Sequence, residues 1–229
     1  MGGFANNAPI VTDGLVFYVD AGNSSSYPGS GTDWGNLSGS ATATLTNSPT
    51  HSSNNGGYFS FDGTNDHVAT TYDATGKINL TFCVWLNIDN FNITNGGSIF
   101  DQSTGSTGFG IRTISSDTIQ VFARNSDASS LNYLSSAYTG LSTGTWYYVC
   151  VKLVTNSITT YLNGAVNATH SATLDTISVD SSNNMEIGGR NDTTDGHLDG
   201  SIALVQIYEK ALSNDEVLQN YNALKNRFV

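Results

Sequence analysis

The residues that could perform acid–base chemistry are few and widely separated in this chain. The only glutamates are Glu186, Glu209 and Glu216. A retaining glycosidase needs an acid and a nucleophile about 5 Å apart beside the sugar, and no predicted strand carries two aspartates on one face. Glu216 also belongs to a predicted helix cap. Glycoside hydrolysis is therefore the weakest of three functional hypotheses for this chain.

Nucleophilic catalysis has no better support. The histidines are scattered along the chain, as His51, His67, His170 and His197. No Gly-x-Ser-x-Gly turn presents a serine, and Cys83 and Cys150 both lie within apolar strand patterns, where unreactive buried thiols are common. A disulfide between these cysteines stays open, since the sequence does not show their separation. We therefore predict no catalytic residues and no enzymatic activity.

Carboxylates crowd into two segments that could hold a hard cation. The first segment, from Asn191 to Gly200, contains Asp192, Asp195 and Asp199, and the second contains Asp62 and Asp66. Calcium prefers such oxygen ligands. The first segment lacks the spacing of an EF-hand, however, and most Asp-Gly pairs only form turns. We predict that no cofactor is required and that calcium is the candidate ligand of these segments.

A polar loop supplies the residue types that bind sugars. Such sites combine an aromatic face with amide or carboxylate groups on an exposed loop. Tyr27, Asp33 and Trp34 provide this combination within one stretch rich in Ser, Gly, Asn and Thr. The alternative is that Tyr27 and Trp34 anchor the loop onto the domain, because isolated aromatic residues in polar loops usually pack inward.

The composition describes one domain with a polar and weakly charged surface. The chain has 229 residues and no compositional break, which fits a single large β-domain. Eight Lys and Arg against nineteen Asp and Glu give a net charge of -11, which repels nucleic acid and anionic membranes. The sequence also shows neither a signal-peptide pattern nor an apolar run long enough to span a membrane. We therefore predict partners other than nucleic acid or membranes.

Short segments in which apolar residues recur at every second position are predicted to be strands, and these strands must position the candidate side chains. One long segment places Phe82, Val84, Leu86 and Ile88 on a single face, and the segment from Ile202 to Tyr208 is apolar on both faces. Asn163-Gly164 predicts a tight hairpin, because both residues tolerate a positive φ. This pattern is typical of an all-β sandwich or barrel.

Only the C-terminal segment changes from the two-residue repeat of a strand to the repeat of an α-helix. Ser213 and Glu216 have the spacing of a capping box, and the apolar residues that follow lie on one helical face, which predicts a helix from Ser213 to Phe228. This helix would cover the sandwich. At the other end, residues 1–12 precede the first strand and are predicted to form a flexible arm, which leaves 13–229 as the folded domain.

Several segments together resemble the concanavalin A-like lectin/glucanase superfamily, in its laminin-G-like form. The matching segments are Phe61–Val68, Leu80–Leu86, Gly144–Val149, Tyr161–Gly164, Ile187–Arg190, Leu198–Ile202 and Ile207–Ser213. The resemblance extends from Gly14 to Phe228. It implies a jelly-roll sandwich of two antiparallel sheets with one C-terminal α-helix. The E-x-D-x-E motif of the superfamily's glucanases is missing, and Ala203 stands where many relatives have an acidic residue, which weakens the calcium hypothesis.

Within that superfamily, the segments Gly14–Asn23 and Ser26–Gly31 resemble proteins of tailed-phage virions. This resemblance implies a non-enzymatic surface protein, either a capsid decoration protein or a fibre-associated module. It would be made in the host cytoplasm, would lie on the virion surface and would assemble as an oligomer with other virion proteins. The alternative hypothesis is a lectin-like carbohydrate-binding module for host attachment, and the two roles are compatible.

Overall fold

A computed structural model describes residues 8–104, 107–124, 131–177, 183–190 and 195–229. These residues form two antiparallel sheets. The first sheet contains β1 (Leu15–Asp20), β3 (Thr50–Ser52), β4 (Tyr58–Asp62), β6 (Leu80–Asn90), β11 (Trp146–Val154), β12 (Ser157–Leu162), β13 (Ala165–Ser171) and β15 (Asp199–Tyr208). The second contains β2 (Ala43–Thr46), β5 (His67–Thr70), β7 (Ser98–Thr104), β8 (Thr107–Ser115), β9 (Thr118–Arg124), β10 (Leu131–Tyr138) and β14 (Glu186–Ile187).

The order of strands puts the most apolar segments in the middle of each sheet. The first sheet runs β13-β12-β11-β6-β15-β4-β3, with β1 also paired to β15, and the second runs β10-β9-β8-β7-β14-β5-β2. The segment from Ile202 to Tyr208 lies in β15 between β6 on one side and β4 and β1 on the other. The all-β, two-sheet sandwich that the sequence predicts is confirmed.

The main core lies between the two sheets. The predicted apolar face of β6 points into it, and Phe82, Val84, Leu86 and Ile88 have no exposed surface. Phe100, Ile111 and Val121 face them from the second sheet. Burial of each large side chain contributes about 1.5–3 kcal/mol to folding, so this inter-sheet core fixes the register of both sheets.

A second core covers the outer face of the first sheet. The alternate residues of β6, including Cys83 and Trp85, pack there beneath α1 (Asn214–Leu224). The predicted capping box is present, since Ser213 and Glu216 each accept a backbone hydrogen bond from the other. The helix is shorter than predicted, because a 3-10 turn at Lys225–Arg227 follows it. No helix among the described residues is long and apolar enough to cross a membrane.

Cys83 and Cys150 form a disulfide in this second core. They lie directly opposite each other on β6 and β11, with Cα atoms 4.1 Å apart, and are bonded to each other. The interpretation as free buried thiols is therefore wrong, and the alternative that the sequence left open is correct. The strand register brings the two residues together, and the spacing of cysteines in the sequence does not reveal that register.

The start of the described chain contacts the C-terminal helix. Val11 donates its backbone N–H to the buried side chain of Asn220 over 2.8 Å and accepts a hydrogen bond from the Tyr208 hydroxyl over 3.0 Å. Gln219 donates to the carbonyl oxygen of Pro9 over 2.7 Å. Pro9 and Val11 of the predicted arm thus contact the folded domain, residues 1–7 lie outside the described part of the chain, and the flexibility of 1–12 stays a prediction.

The hairpin between β12 and β13 supports the same helix. Asn163 and Gly164 have φ values of 51° and 81°, as the Asn-Gly pair predicts. A Cβ atom at position 164 would lie 2.9 Å from the Cβ atom of Tyr221 in α1. Glycine is therefore required twice at this turn, for its backbone conformation and for the close approach of the helix.

Candidate functional site

The aromatic residues predicted to bind sugar lie at different depths. Trp34 has no exposed surface and packs edge-on against Phe59, with ring centroids 4.9 Å apart. Trp34 is thus a core residue, and its assignment as a ligand-binding residue is wrong because no face of its ring is open. Asp33 is exposed, and its backbone bridges to Thr44. Tyr27 retains 9% exposure and lines a groove.

We call this groove the Tyr27 groove. It has a volume of ≈ 330 Å³ and is lined by Ala21, Gly22, Ser24, Tyr27, Pro28, Gly29, His51, Ser53, Gly56 and Gly57. The rings of Tyr27 and His51 lie 4.8 Å apart. His51 Nε2 is 3.0 Å from the carbonyl oxygen of Ala21, so this nitrogen carries the proton and donates to it. The groove therefore combines two rings with serine hydroxyls and backbone polar groups.

The C-terminal turn holds the floor of the Tyr27 groove. Arg227 forms two hydrogen bonds to the carboxylate of Asp20, of 2.8 and 3.0 Å. The same guanidinium donates to the carbonyl oxygens of Gly56 and Gly57 over 2.9 and 3.3 Å. A bidentate arginine–carboxylate pair fixes direction as well as distance. The loop after β1 and the loop before β4 are thus tied together at the end of the chain.

A loop hydrogen bond positions Tyr27 itself. The Ser26 hydroxyl donates to the carbonyl oxygen of Gly35 over 2.6 Å and accepts from the backbone N–H of Asp20 over 3.0 Å. The ring of Tyr27 then packs edge-on against Phe59, with centroids 4.8 Å apart. This contact joins one wall of the groove to the inter-sheet core.

The outer face of the second sheet carries a polar cluster that the sequence did not reveal. Asp101 of β7 and Glu186 of β14 are cross-strand partners, and their neighbours Phe100 and Ile187 point into the inter-sheet core. Both carboxylates therefore point outward. The two strands are far apart in the sequence and become neighbours only through sheet pairing. A search for two carboxylates on one strand therefore could not detect this pair.

Basic side chains surround this carboxylate pair. Arg190 Nε lies 3.8 Å from an Asp101 oxygen, and His67 Nε2 lies 3.9 Å from a Glu186 oxygen. The rings of His67 and His197 are 5.9 Å apart, so two of the scattered histidines do meet. Burial, and then the neighbouring His67, lower the pKa of His197. A buried histidine of this kind is neutral at physiological pH.

The cluster is a poor catalytic centre, because a substrate cannot reach its aspartate. Asp101 has no exposed surface, and one of its oxygens accepts hydrogen bonds from the Ser103 backbone and hydroxyl over 3.0 and 2.6 Å. Glu186 is only 8% exposed. A glycosidase carboxylate must contact the anomeric carbon or the leaving oxygen.

Aspartates from the two predicted calcium segments meet at one end of the sandwich. Asp62 and Asp199 are cross-strand partners in β4 and β15. Burial, and then the charge of Asp62, raise the pKa of Asp66, and burial, and then the charge of Asp199, raise the pKa of Asp89. Burial is the larger cause of both pKa shifts, and repulsion between neighbouring carboxylates adds to it.

The calcium hypothesis gains no geometric support from these aspartates. Asp195 is exposed near this end, whereas Asp192 lies outside the described residues. Within the described ranges, no group of three His, Cys, Asp or Glu side chains is placed to hold a metal ion.

Comparison with solved structures shows the same sandwich fold in other proteins. The binding domain of botulinum neurotoxin serotype D superposes with a TM-score of 0.68 at 16% identity, over 91% of this chain and 51% of that chain. A Trypanosoma rangeli sialidase in complex with sialic acid gives 0.67 at 14% identity, over 96% and 35%. This chain thus spans about half the length of the toxin domain and about a third of the sialidase.

A third solved structure matches along nearly its whole length. Domain 4 of an extracellular arabinanase from Geobacillus stearothermophilus, in complex with arabinotriose, has a TM-score of 0.67 at 14% identity, over 90% of this chain and 98% of that domain. None of these three structures is a virion protein. At such low identities the matches establish the fold alone. No curated protein matches the chain by sequence at a significant level.

A family model resolves the relationship at the level of sequence. The laminin-G-like model of the concanavalin A-like superfamily matches residues 62–218. This match includes the β4 end, the Asn163-Gly164 hairpin and the capping box of α1, which are the features that the sequence motifs predicted. The chain therefore belongs to the concanavalin A-like lectin/glucanases superfamily.

Proposed function

We propose that this protein is a non-catalytic carbohydrate-binding module and that its ligand occupies the Tyr27 groove. The observation that carries the proposal is the pairing of two rings, Tyr27 and His51, beside the exposed serines Ser24 and Ser53. Sugars present apolar C–H faces and hydroxyl groups, which pack on rings and bond to such polar groups. The groove is preformed, because Phe59 and Arg227 hold its walls.

The comparisons support the ligand class without identifying the ligand. The matched arabinanase domain was solved with arabinotriose and the matched sialidase with sialic acid. The carboxylates of Asp101 and Glu186 are buried in ion-pair contacts, and their burial supports a binding role for this chain.

A glycan array probed with the intact protein tests this proposal. We expect at least one glycan to bind, with no release of reducing sugar during prolonged incubation. If reducing sugar is released and Glu186→Gln abolishes that release, the chain is a hydrolase and the proposal is wrong. If no glycan on a broad array binds, the carbohydrate-binding role is also contradicted.

A virion-surface location is a second proposal, compatible with the first. The resemblance of Gly14–Asn23 and Ser26–Gly31 to tailed-phage virion proteins favours it, and the latter segment includes Tyr27 of the groove. The module would then decorate a capsid or fibre as an oligomer and present the groove to host glycans. Co-sedimentation of the purified protein with particles of the phage that encodes it should be stoichiometric. Failure to co-sediment would contradict the location.

A further inference from the structure

A second pocket lies near the opposite end of β1 from the Tyr27 groove. It has a volume of ≈ 380 Å³, and we call it the Tyr72 pocket. Val16 near the start of β1 lines it, whereas Ala21, just after β1, lines the Tyr27 groove. The polar lining residues are Ser40, Thr71, Tyr72, Asp73, Lys77 and Glu209. Its chemistry is more strongly polar than that of the groove.

Tyr72 contributes a buried hydroxyl without a partner. The residue is 5% exposed, and its hydroxyl has no hydrogen-bond partner among the described residues. Its ring packs in the inter-sheet core near Phe17, with centroids 6.4 Å apart, so the side chain is held in place. Buried hydroxyl groups are nearly always hydrogen-bonded in folded proteins, and an exception needs an explanation.

The hydroxyl of Tyr72 is a hydrogen-bond donor that lies near the charged groups of the pocket. Burial, and then the charges of Glu209 and Asp73, raise the pKa of this phenol above its ordinary value. It therefore stays protonated throughout the physiological range. An acceptor atom of a ligand in the pocket would satisfy it.

The rest of the pocket balances donors with acceptors. Lys77 Nζ forms an ion pair of 2.9 Å with Glu209, and both side chains are about one-third exposed, at 34% and 39%. Burial raises the pKa of Asp73, but hydrogen bonds from Thr75 and Gln102 outweigh that effect and lower it. Asp73 is thus ionised at neutral pH. Two carboxylates and one ammonium leave a net negative charge, which disfavours an anionic ligand.

A neutral ligand with adjacent hydroxyls fits this arrangement. Each hydroxyl can accept one hydrogen bond and donate another. One hydroxyl would accept from Tyr72, and the next would donate to Glu209 while accepting from Lys77. A carboxylate ligand could not donate, and an ammonium ligand could not accept from Tyr72.

We propose that the Tyr72 pocket is a second binding site, which takes a vicinal diol of an uncharged sugar through Tyr72 and the Lys77–Glu209 pair. The site is separate from the Tyr27 groove and does not depend on it. Its ligand differs in class from an acidic sugar such as sialic acid.

The test uses the intact, ¹⁵N-labelled protein titrated with D-mannose, D-galactose and N-acetylneuraminic acid while amide signals are followed by NMR. We expect at least one neutral sugar to shift the amides of 39–41 and 71–73, and the acidic sugar to leave them unchanged. Tyr72→Phe should weaken that binding about tenfold, the effect of one lost hydrogen bond to a buried group. Glu209→Gln, at a side chain that is 39% exposed, should also weaken it without unfolding the protein.

Two control variants separate this site from the groove. Tyr58→Phe removes a hydroxyl from a partly buried tyrosine on the first sheet, near Trp146, and should not change the titration. Ser24→Trp fills the Tyr27 groove and should leave the shifts at the Tyr72 pocket intact. The proposal is overturned if no neutral sugar shifts these amides, if the acidic sugar binds as tightly, or if folded Tyr72→Phe binds as well as the original protein.

Discussion

Tyr27 lies 4.8 Å from His51 and 4.8 Å from Phe59, measured between ring centroids, and so joins the groove to the inter-sheet core. His51 and Phe59 also contact each other, at 5.3 Å, and the three rings form one packed set. A ring held in this way loses little freedom when a ligand packs on it. Preorganisation of this kind favours affinity, since less ordering is needed on binding.

Removing the arginine beneath the groove should weaken both the fold and the site. Arg227→Ala leaves Asp20, which is 5% exposed, buried without its cation. We expect a loss of about 2 to 3 kcal/mol in the free energy of unfolding, measured by urea denaturation, together with weaker glycan binding. Lys225→Ala is the matched control, because Lys225 lies in the same turn and donates a hydrogen bond to Asn222 instead of to Asp20. Equal stability of the two variants would contradict this role.

Deleting the C-terminal helix should destabilise the first sheet. A chain ending at Leu212 would expose Trp85, which Phe228 covers at a centroid distance of 4.3 Å, and Tyr148 beside it. Large exposed apolar patches promote association. We expect aggregation or loss of cooperative thermal unfolding, measured by light scattering and calorimetry. Deletion of Val229 alone, which is 72% exposed, should have no effect. A soluble, cooperatively folding truncation would show that the helix is dispensable.

The disulfide predicts the number of free thiols and a contribution to thermal stability. Cys83 and Cys150 close a loop with a sequence separation of 67 residues. A cross-link of this length is expected to stabilise the fold by up to about 4 kcal/mol through restriction of the unfolded chain. Thiol titration of the denatured, unreduced protein should detect no free cysteine, and replacing both cysteines by alanine should lower the melting temperature. Two titratable thiols in the purified protein would show that the bond is absent.

The aspartate end of the sandwich should respond to pH in a defined direction. Burial, and then the charge of Asp62, raise the pKa of Asp66. A carboxyl group whose pKa rises on folding contributes stability below its ordinary pKa and loses that contribution as pH rises through the shifted value. Asp66→Asn should therefore raise the melting temperature at pH 7, and the difference should close as the pH falls below the ordinary pKa of aspartate.

Asp33→Asn is the control for that measurement. It removes one negative charge from an exposed position, so it reports the general effect of making the net charge of -11 less negative. If both variants raise the melting temperature equally, neither the burial of Asp66 nor its repulsion by Asp62 is the cause.

Local patterns in the sequence were sufficient to predict the strands and the helix cap. Alternation along β6 identified the face that packs in the inter-sheet core, and the Ser213–Glu216 spacing identified the start of α1. The Asn163-Gly164 turn followed from backbone sterics alone. These features depend on residues close together in the chain, and they can therefore be predicted without a structure.

Features that depend on strand register were not predictable. The Cys83–Cys150 bond and the Asp101–Glu186 pair both require knowledge of which residues face each other across two strands. Burial of Trp34 was one of two interpretations that its sequence context allowed, and packing against Phe59 decides between them. The Tyr72 pocket is formed by segments near residues 16, 40, 72 and 209, so no local sequence motif predicts it.

The most direct test of carbohydrate binding in the Tyr27 groove is the dissociation constant of an array-selected glycan, measured by calorimetry for two adjacent variants. Ser24 lines the groove and Ser25 does not, although both are exposed. We predict that Ser24→Trp, which places a large ring in the groove, weakens binding by at least about tenfold, while Ser25→Trp binds like the original protein. Unchanged affinity in folded Ser24→Trp would contradict our assignment of the groove.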